Sequence, residues 1–144
     1  MRALLSRLNP LPTLRTVHAH CDIPCGVYDP EQARIEAESC LKIIQKYHDS
    51  DDELFRERCI IVKEERAELA KHHIDVLWSD WYKPEQHGEE HHATFNQAVK
   101  ACSNVKRSMD EAEATQLLEL IGQIDELWKK NNGPAETRVS GRPG

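Results

Sequence analysis

Between Glu31 and Lys83 the chain contains neither glycine nor proline. A stretch of that length without a chain breaker points to long helices rather than to strands and turns. Asp29 and Pro30 stand before it as a natural N-cap and first helical residue. Ala33, Ala37, Cys40, Leu41, Ile44 and Tyr47 follow at intervals of three and four and draw an apolar stripe along one face of a first helix. The polar run from His48 to Asp52 interrupts the stripe and offers new caps. Phe55, Cys59, Val62, Leu69, Ile74 and Leu77, with Trp78, continue toward Tyr82 as a second helix, which Pro84 closes. A loop through Gln86, His87 and Gly88 leads to a third stripe of Phe95, Ala98, Val99 and Cys102. Asp110 and Glu111 open a fourth, formed by Ala114, Leu117, Leu118, Ile121, Ile124 and Trp128. No strand alternation and no internal repeat competes with this pattern. The expected fold is all-α, an antiparallel four-helix bundle spanning residues 20–130 together with the segment that precedes it. Residues 131–144 carry no periodicity and read as a disordered tail.

At 144 residues the chain can bury one core but not two. No run approaches the ~18 apolar residues of a membrane span, so no membrane partner is expected. The net charge of −6 argues against non-specific nucleic-acid binding, which needs a basic field. The first 19 residues stand apart, with three arginines, two of the seven prolines and no acid. They read as a leader, and without them 16 basic against 25 acidic side chains leave −9. Pro10, Pro12 and Arg7 break the only apolar run, which disfavours secretion, while Val17 and Ala19 form a small-residue cleavage signal just before His20. An organelle transit peptide and a tail that stays attached are the other readings of this segment. Five cysteines, odd in number and unevenly spaced, make no disulfide scaffold and point to a reducing compartment, the cytoplasm.

The segment His20-Cys21-Asp22-Ile23-Pro24-Cys25-Gly26-Val27-Tyr28 carries the chemistry. Two thiols four apart, with an imidazole before them, can wrap one ion. The second ligand pair of a structural zinc site is missing. Two thiolates, an imidazole and backbone nitrogens suit a thiophilic ion in a planar field, nickel(II) or copper(II). Pro24 restricts the hook and Gly26 permits a tight backbone course after Cys25. Cys40, Cys59 and Cys102 fall on apolar stripes and read as buried small hydrophobes.

The string HCDIPCGVYDP, with EQARIEAES in the first helix and KEERAELAKHHIDVLWSDWYKP in the second, closely resembles nickel-containing superoxide dismutase. The resemblance covers nearly all of His20 to Trp128. It implies a leader cut by a processing peptidase so that His20 becomes the amino terminus. It further implies one nickel ion per subunit, held by the α-amine of His20, the backbone nitrogen of Cys21 and the thiolates of Cys21 and Cys25, with the His20 imidazole axial in the oxidised state. The implied reaction disproportionates superoxide to dioxygen and hydrogen peroxide by Ni(II)/Ni(III) cycling. By the same resemblance Glu36 and Arg66 orient the axial imidazole, Tyr28 stands over the open face, Asp22 supports the hook or protons near it, and Lys83 attracts the anionic substrate. Trp81 departs from the aromatic usual at its position. A homohexamer is implied as the assembly.

Two other classes compete. A carboxylate-bridged di-iron bundle needs two Glu-x-x-His pairs on facing helices, and only Glu89 with His92 has that spacing. A bundle that merely associates through its faces leaves the hook without a purpose.

Overall fold

The structure is a computed structural model that describes residues 26–132. The expected leader, the hook residues His20, Cys21, Asp22 and Cys25, and the tail from residue 133 onward lie outside the described residues. Four long helices, α1 (Glu31–His48), α2 (Glu53–Val76), α4 (His91–Arg107) and α5 (Glu111–Asn132), are joined by a short α3 (Pro84–His87). Among the described residues there is no strand. Residues 49–52 and 108–110 make the two tight connections, so each joined pair runs antiparallel. Packing follows a ring in which α1 and α4 each rest on α2 and α5, which is the expected four-helix bundle around one core.

The caps explain where the helices begin. Asp52 adopts an extended conformation and its carboxylate accepts the N–H groups of Leu54 and Phe55 at the start of α2. At α1 the expectation is off by one residue: Pro30 is the cap, and Asp29 Oδ1 accepts the Glu31 N–H at 2.7 Å. Asp110 does the same for the Ala112 N–H at 2.9 Å. Helix α5 runs to Asn132, beyond the expected end at residue 130.

The core contains Ile44, Ile74, Phe95, Leu117, Ile121 and Ile124, each at most 1% exposed. Burial of each such side chain contributes about 1.5–3 kcal/mol. Three of the four stripes lie inward broadly as the sequence pattern places them. The second stripe does so only in part: Cys59, Ile74 and Leu77 are buried, together with Lys63, Ala67 and Ala70, while Phe55 and Leu69 are exposed. Periodicity alone could not select Lys63, a charged residue only 1% exposed. Its ammonium donates to the carbonyls of Lys106 at 2.9 Å and Ser108 at 2.7 Å, which satisfies acceptors at the end of α4. Burial holds that ammonium below the ordinary lysine value.

The end of α2 differs from the sequence reading in a second way. Leu77–Trp81 forms a π-helical turn, closed by a bond from the Tyr82 N–H to the Leu77 carbonyl at 2.8 Å. Tyr82 then turns extended, and the adjacent aromatics Trp81 and Tyr82 are both buried. Pro84 does not lead into a loop: it occupies the first turn of α3, which takes in Gln86 and His87.

Candidate metal centre

The described chain begins at the end of the bundle where α2 and α5 finish. Gly26 has φ +71°, a left-handed conformation that a side chain would strain, so the tight course expected after Cys25 is present. A Cβ there would meet nothing within 4 Å, so the glycine serves the backbone angle rather than a close approach. Two residues on, the Tyr28 carbonyl accepts the indole N–H of Trp128 at 2.7 Å. That bond ties the exit of the hook to the last turns of α5 across the whole sequence. Pro30 is fully buried behind it.

Two clefts flank this segment. One, of about 360 Å³, is lined by Gly26, Tyr28, Trp81, Lys83, His87 and Asn131 and also by Asp80, whose carboxylate accepts the Ser79 hydroxyl. The other, of about 180 Å³, lies against His72, His73, Val76 and Leu77. The structure therefore brings Tyr28 and Lys83 to one cleft. Lys83 is exposed at the start of α3, and its ammonium has no ion-pair partner among the described residues. His87 is half-buried there with its ring stacked on Trp81, centroids 4.3 Å apart and planes 18° apart. Burial holds its imidazole below the usual histidine value.

Glu36 and Arg66 meet across the α1–α2 contact, with Arg66 Nη1 donating to Glu36 Oε2 at 3.2 Å. The Glu36 side chain is 15% exposed and that of Arg66 36%, so the pair is half-buried. Its Oε1 has no hydrogen-bond partner among the described residues, and neither has the buried Nε of Arg66. Such a pair is a fixed carboxylate with one oxygen still open to accept an N–H. This suits the orientation of an imidazole. Asp22 and the three candidate ligands His20, Cys21 and Cys25 lie outside the described residues, so their donor chemistry is the test of fit. Two thiols and an imidazole, with backbone nitrogens between them, form a set that a thiophilic ion accepts and that hard cations refuse.

The remaining cysteines are free and buried. Burial pushes the Cys40 and Cys102 thiols up to about 12, so both stay protonated at neutral pH. Cys59 is 6% exposed, as its place on a stripe implies. Among the described residues no three His, Cys, Asp or Glu side chains gather to hold a metal. His92 Nδ1 accepts the Trp78 indole N–H at 3.0 Å, and among the described residues no further ligand groups gather with Glu89 and His92 as a di-iron site requires. No helix among the described residues is long and apolar enough to cross a membrane.

Sequence spacing missed three features of this end. Nothing in the pattern signals that Trp128 would hold Tyr28, nor that Asn131 would reach the cleft. His87 could have been suspected, since Pro84 opens a helical turn that sets residue 87 four places after Lys83.

The family model described as nickel-containing superoxide dismutase matches residues 15–132. A "Superoxide dismutase [Ni]" from Streptomyces seoulensis is 54% identical over 115 residues, covering 78% of this chain and 87% of the relative. Its counterpart from Streptomyces coelicolor is 51% identical over 116 residues, covering 78% and 88%. Among solved structures, a crystal structure of nickel-containing superoxide dismutase with its nickel ligation in the oxidised state is 53% identical, with a TM-score of 0.73. It covers 77% of this chain and 97% of the other. With a family model matched over most of its length and relatives above half identity, the chain belongs to the nickel-containing superoxide dismutase family.

Proposed function

We propose that one nickel ion per subunit would be held in the hook by the α-amine of His20, the backbone nitrogen of Cys21 and the thiolates of Cys21 and Cys25, with the His20 imidazole as a further donor. The chain is a nickel superoxide dismutase. The observation that carries the ligand set is that the family match begins before His20 and runs through both thiols. When bound, nickel supplies reversible one-electron chemistry between Ni(II) and Ni(III), which thiolates and an anionic amide nitrogen make accessible by donating electron density. The balanced reaction converts two superoxide anions and two protons into dioxygen and hydrogen peroxide.

The rest of the work falls to the chain. Glu36 accepts the outer N–H of the His20 imidazole on its open oxygen, and Arg66 holds that carboxylate in place. Tyr28, fixed through its carbonyl by Trp128, lines the cleft where a small anion or water is ordered. Lys83 draws the anion toward an otherwise acidic surface. Asp22 supports the hook or the protons near it.

Residues 1–19 are a leader removed by a peptidase in the cytoplasm. The proposal needs this cut, because a nitrogen still acylated by Ala19 is an amide and no neutral amine donor exists. The assembly is a homohexamer. Support for subunit contact comes from α2, where Leu54 is 70%, Ile61 58% and Leu69 36% exposed at helical spacing, uncovered by their own chain.

Two purified forms test the reading, one beginning at His20 and one retaining the leader, each supplied with nickel under reducing conditions. The cleaved form takes up close to one nickel per chain and accelerates superoxide decay. Equal nickel affinity and turnover in the uncleaved form would remove the amino-terminal ligand from the scheme.

A further inference from the structure

The cleft that Gly26 and Tyr28 line also contains His87, to which the family resemblance assigns no role. Three features fix this ring. It closes α3, its face lies on Trp81 at 4.3 Å, and its Nδ1 accepts the backbone N–H of Lys83 at 3.0 Å. A nitrogen that accepts from an amide N–H carries no proton, so the proton of the neutral ring sits on Nε2. Among the described residues Nε2 has no hydrogen-bond partner, and neither has the Lys83 ammonium. Lys83 thus does two things at once: its backbone sets the tautomer of His87, and its side chain places a positive charge at the same cleft.

We propose that the His87 Nε2–H and the Lys83 ammonium together form a receptor for small monoanions, superoxide among them, in the cleft beside Gly26 and Tyr28. The inference rests on the reading of that cleft as the approach to the hook, since Gly26 is peptide-bonded to Cys25. The two donors differ in kind. The ammonium attracts at a distance and is screened by salt. The imidazole N–H is directional, held by a stack and a hydrogen bond, and orients an anion without adding a second charge that would retain it. Scaffolding alone does not explain the residue: an aromatic hydrocarbon would stack on Trp81 equally well, and the exposed Lys83 N–H could turn to water.

The test uses the full mature chain from His20, nickel-loaded and nickel-free, with azide as the probe anion at constant ionic strength. In the nickel-free chain, nitrogen NMR of the histidine rings is expected to show His87 protonated on Nε2, with that signal moving as azide is added. In the loaded chain, His87→Phe keeps the stack and removes the donor. It is expected to retain nickel and kcat while weakening azide inhibition and lowering kcat/KM by about tenfold or more, the weight of one hydrogen bond to a charged group. His87→Asn restores an acceptor for the Lys83 N–H without a ring Nε2–H, and is expected to show the same two losses. A His87 ring protonated on Nδ1, or one whose signals ignore azide, overturns the receptor. So does a His87→Phe protein with wild-type azide inhibition and kcat/KM. A wild-type chain that neither holds nickel nor dismutates superoxide would instead refute the function, and the azide titration of the nickel-free chain would still judge the receptor.

Discussion

The two ends of the bundle are built on different terms. At the far end, where α1 meets α2 and α4 meets α5, every device is one of closure. Asp52 caps α2, the His48 ring meets the Met109 carbonyl at 2.7 Å, Gln45 bonds to Glu111, and buried Lys63 fastens the last carbonyls around α4. At the near end the backbone departs from regular structure at each step. A π turn ends α2, Gly26 and Gly88 take positive φ, and a four-residue helix bridges to α4. The irregular end exposes a cation, a half-buried imidazole and a cleft beside Gly26, the residue that follows Cys25. The proposed function thus puts the chemistry at one end and leaves the closure devices at the other, a division that separate substitutions can test.

The largest effect on the chemical end without touching a ligand is expected from Glu36→Ala. Removal of the carboxylate proposed to orient the His20 imidazole should cost about 10–100-fold in nickel affinity or dismutation rate, the range found when such outer partners are lost. Nickel competition and superoxide decay read it, and a variant equal to wild type in both would return the Glu36–Arg66 pair to a structural role. Next comes Lys63→Met at the closed end. It leaves two carbonyls without their donor and should destabilise the fold by about 2 kcal/mol, measured by urea unfolding at fixed protein concentration. Its nickel content and turnover below the unfolding range should match wild type, and a selective loss of activity would break the division between the ends. The smallest effect is expected from Tyr28→Phe. The phenol is not a ligand in this scheme, and its anchoring carbonyl is untouched, so nickel stays bound and the rate shifts by no more than about fivefold. Complete loss of metal would contradict the role given to Tyr28.

Much of the closed end was legible in advance. The absence of glycine and proline from Glu31 to Lys83, the acidic caps and the stripes of α1, α4 and α5 all express local rules that tertiary structure did not overturn. Lys63 was not legible, because a buried ammonium is defined by carbonyls some forty residues away and not by its own neighbours. The π turn escaped for a related reason: one i to i−5 bond carries no compositional mark. At the chemical end the spacing of His20, Cys21 and Cys25 pointed to a thiophilic metal, and the resemblance narrowed it to nickel. The partners that set the cleft, Trp128 on Tyr28 and Lys83 on His87, depend on how helix ends come together. Of these only the second left a trace in spacing.

The central claim is that the chemistry resides in the hook and the bundle folds without it. Replacing Cys21 or Cys25 by serine tests it most directly, because a hydroxyl is a far harder and weaker donor than a thiolate while the helices begin only at Glu31. Circular dichroism, nickel content and superoxide decay are measured on the same preparations. The account predicts wild-type helicity with nickel binding and dismutation lost together. A Cys25→Ser protein that remained nickel-loaded and active, or one that failed to form its helices, would contradict it.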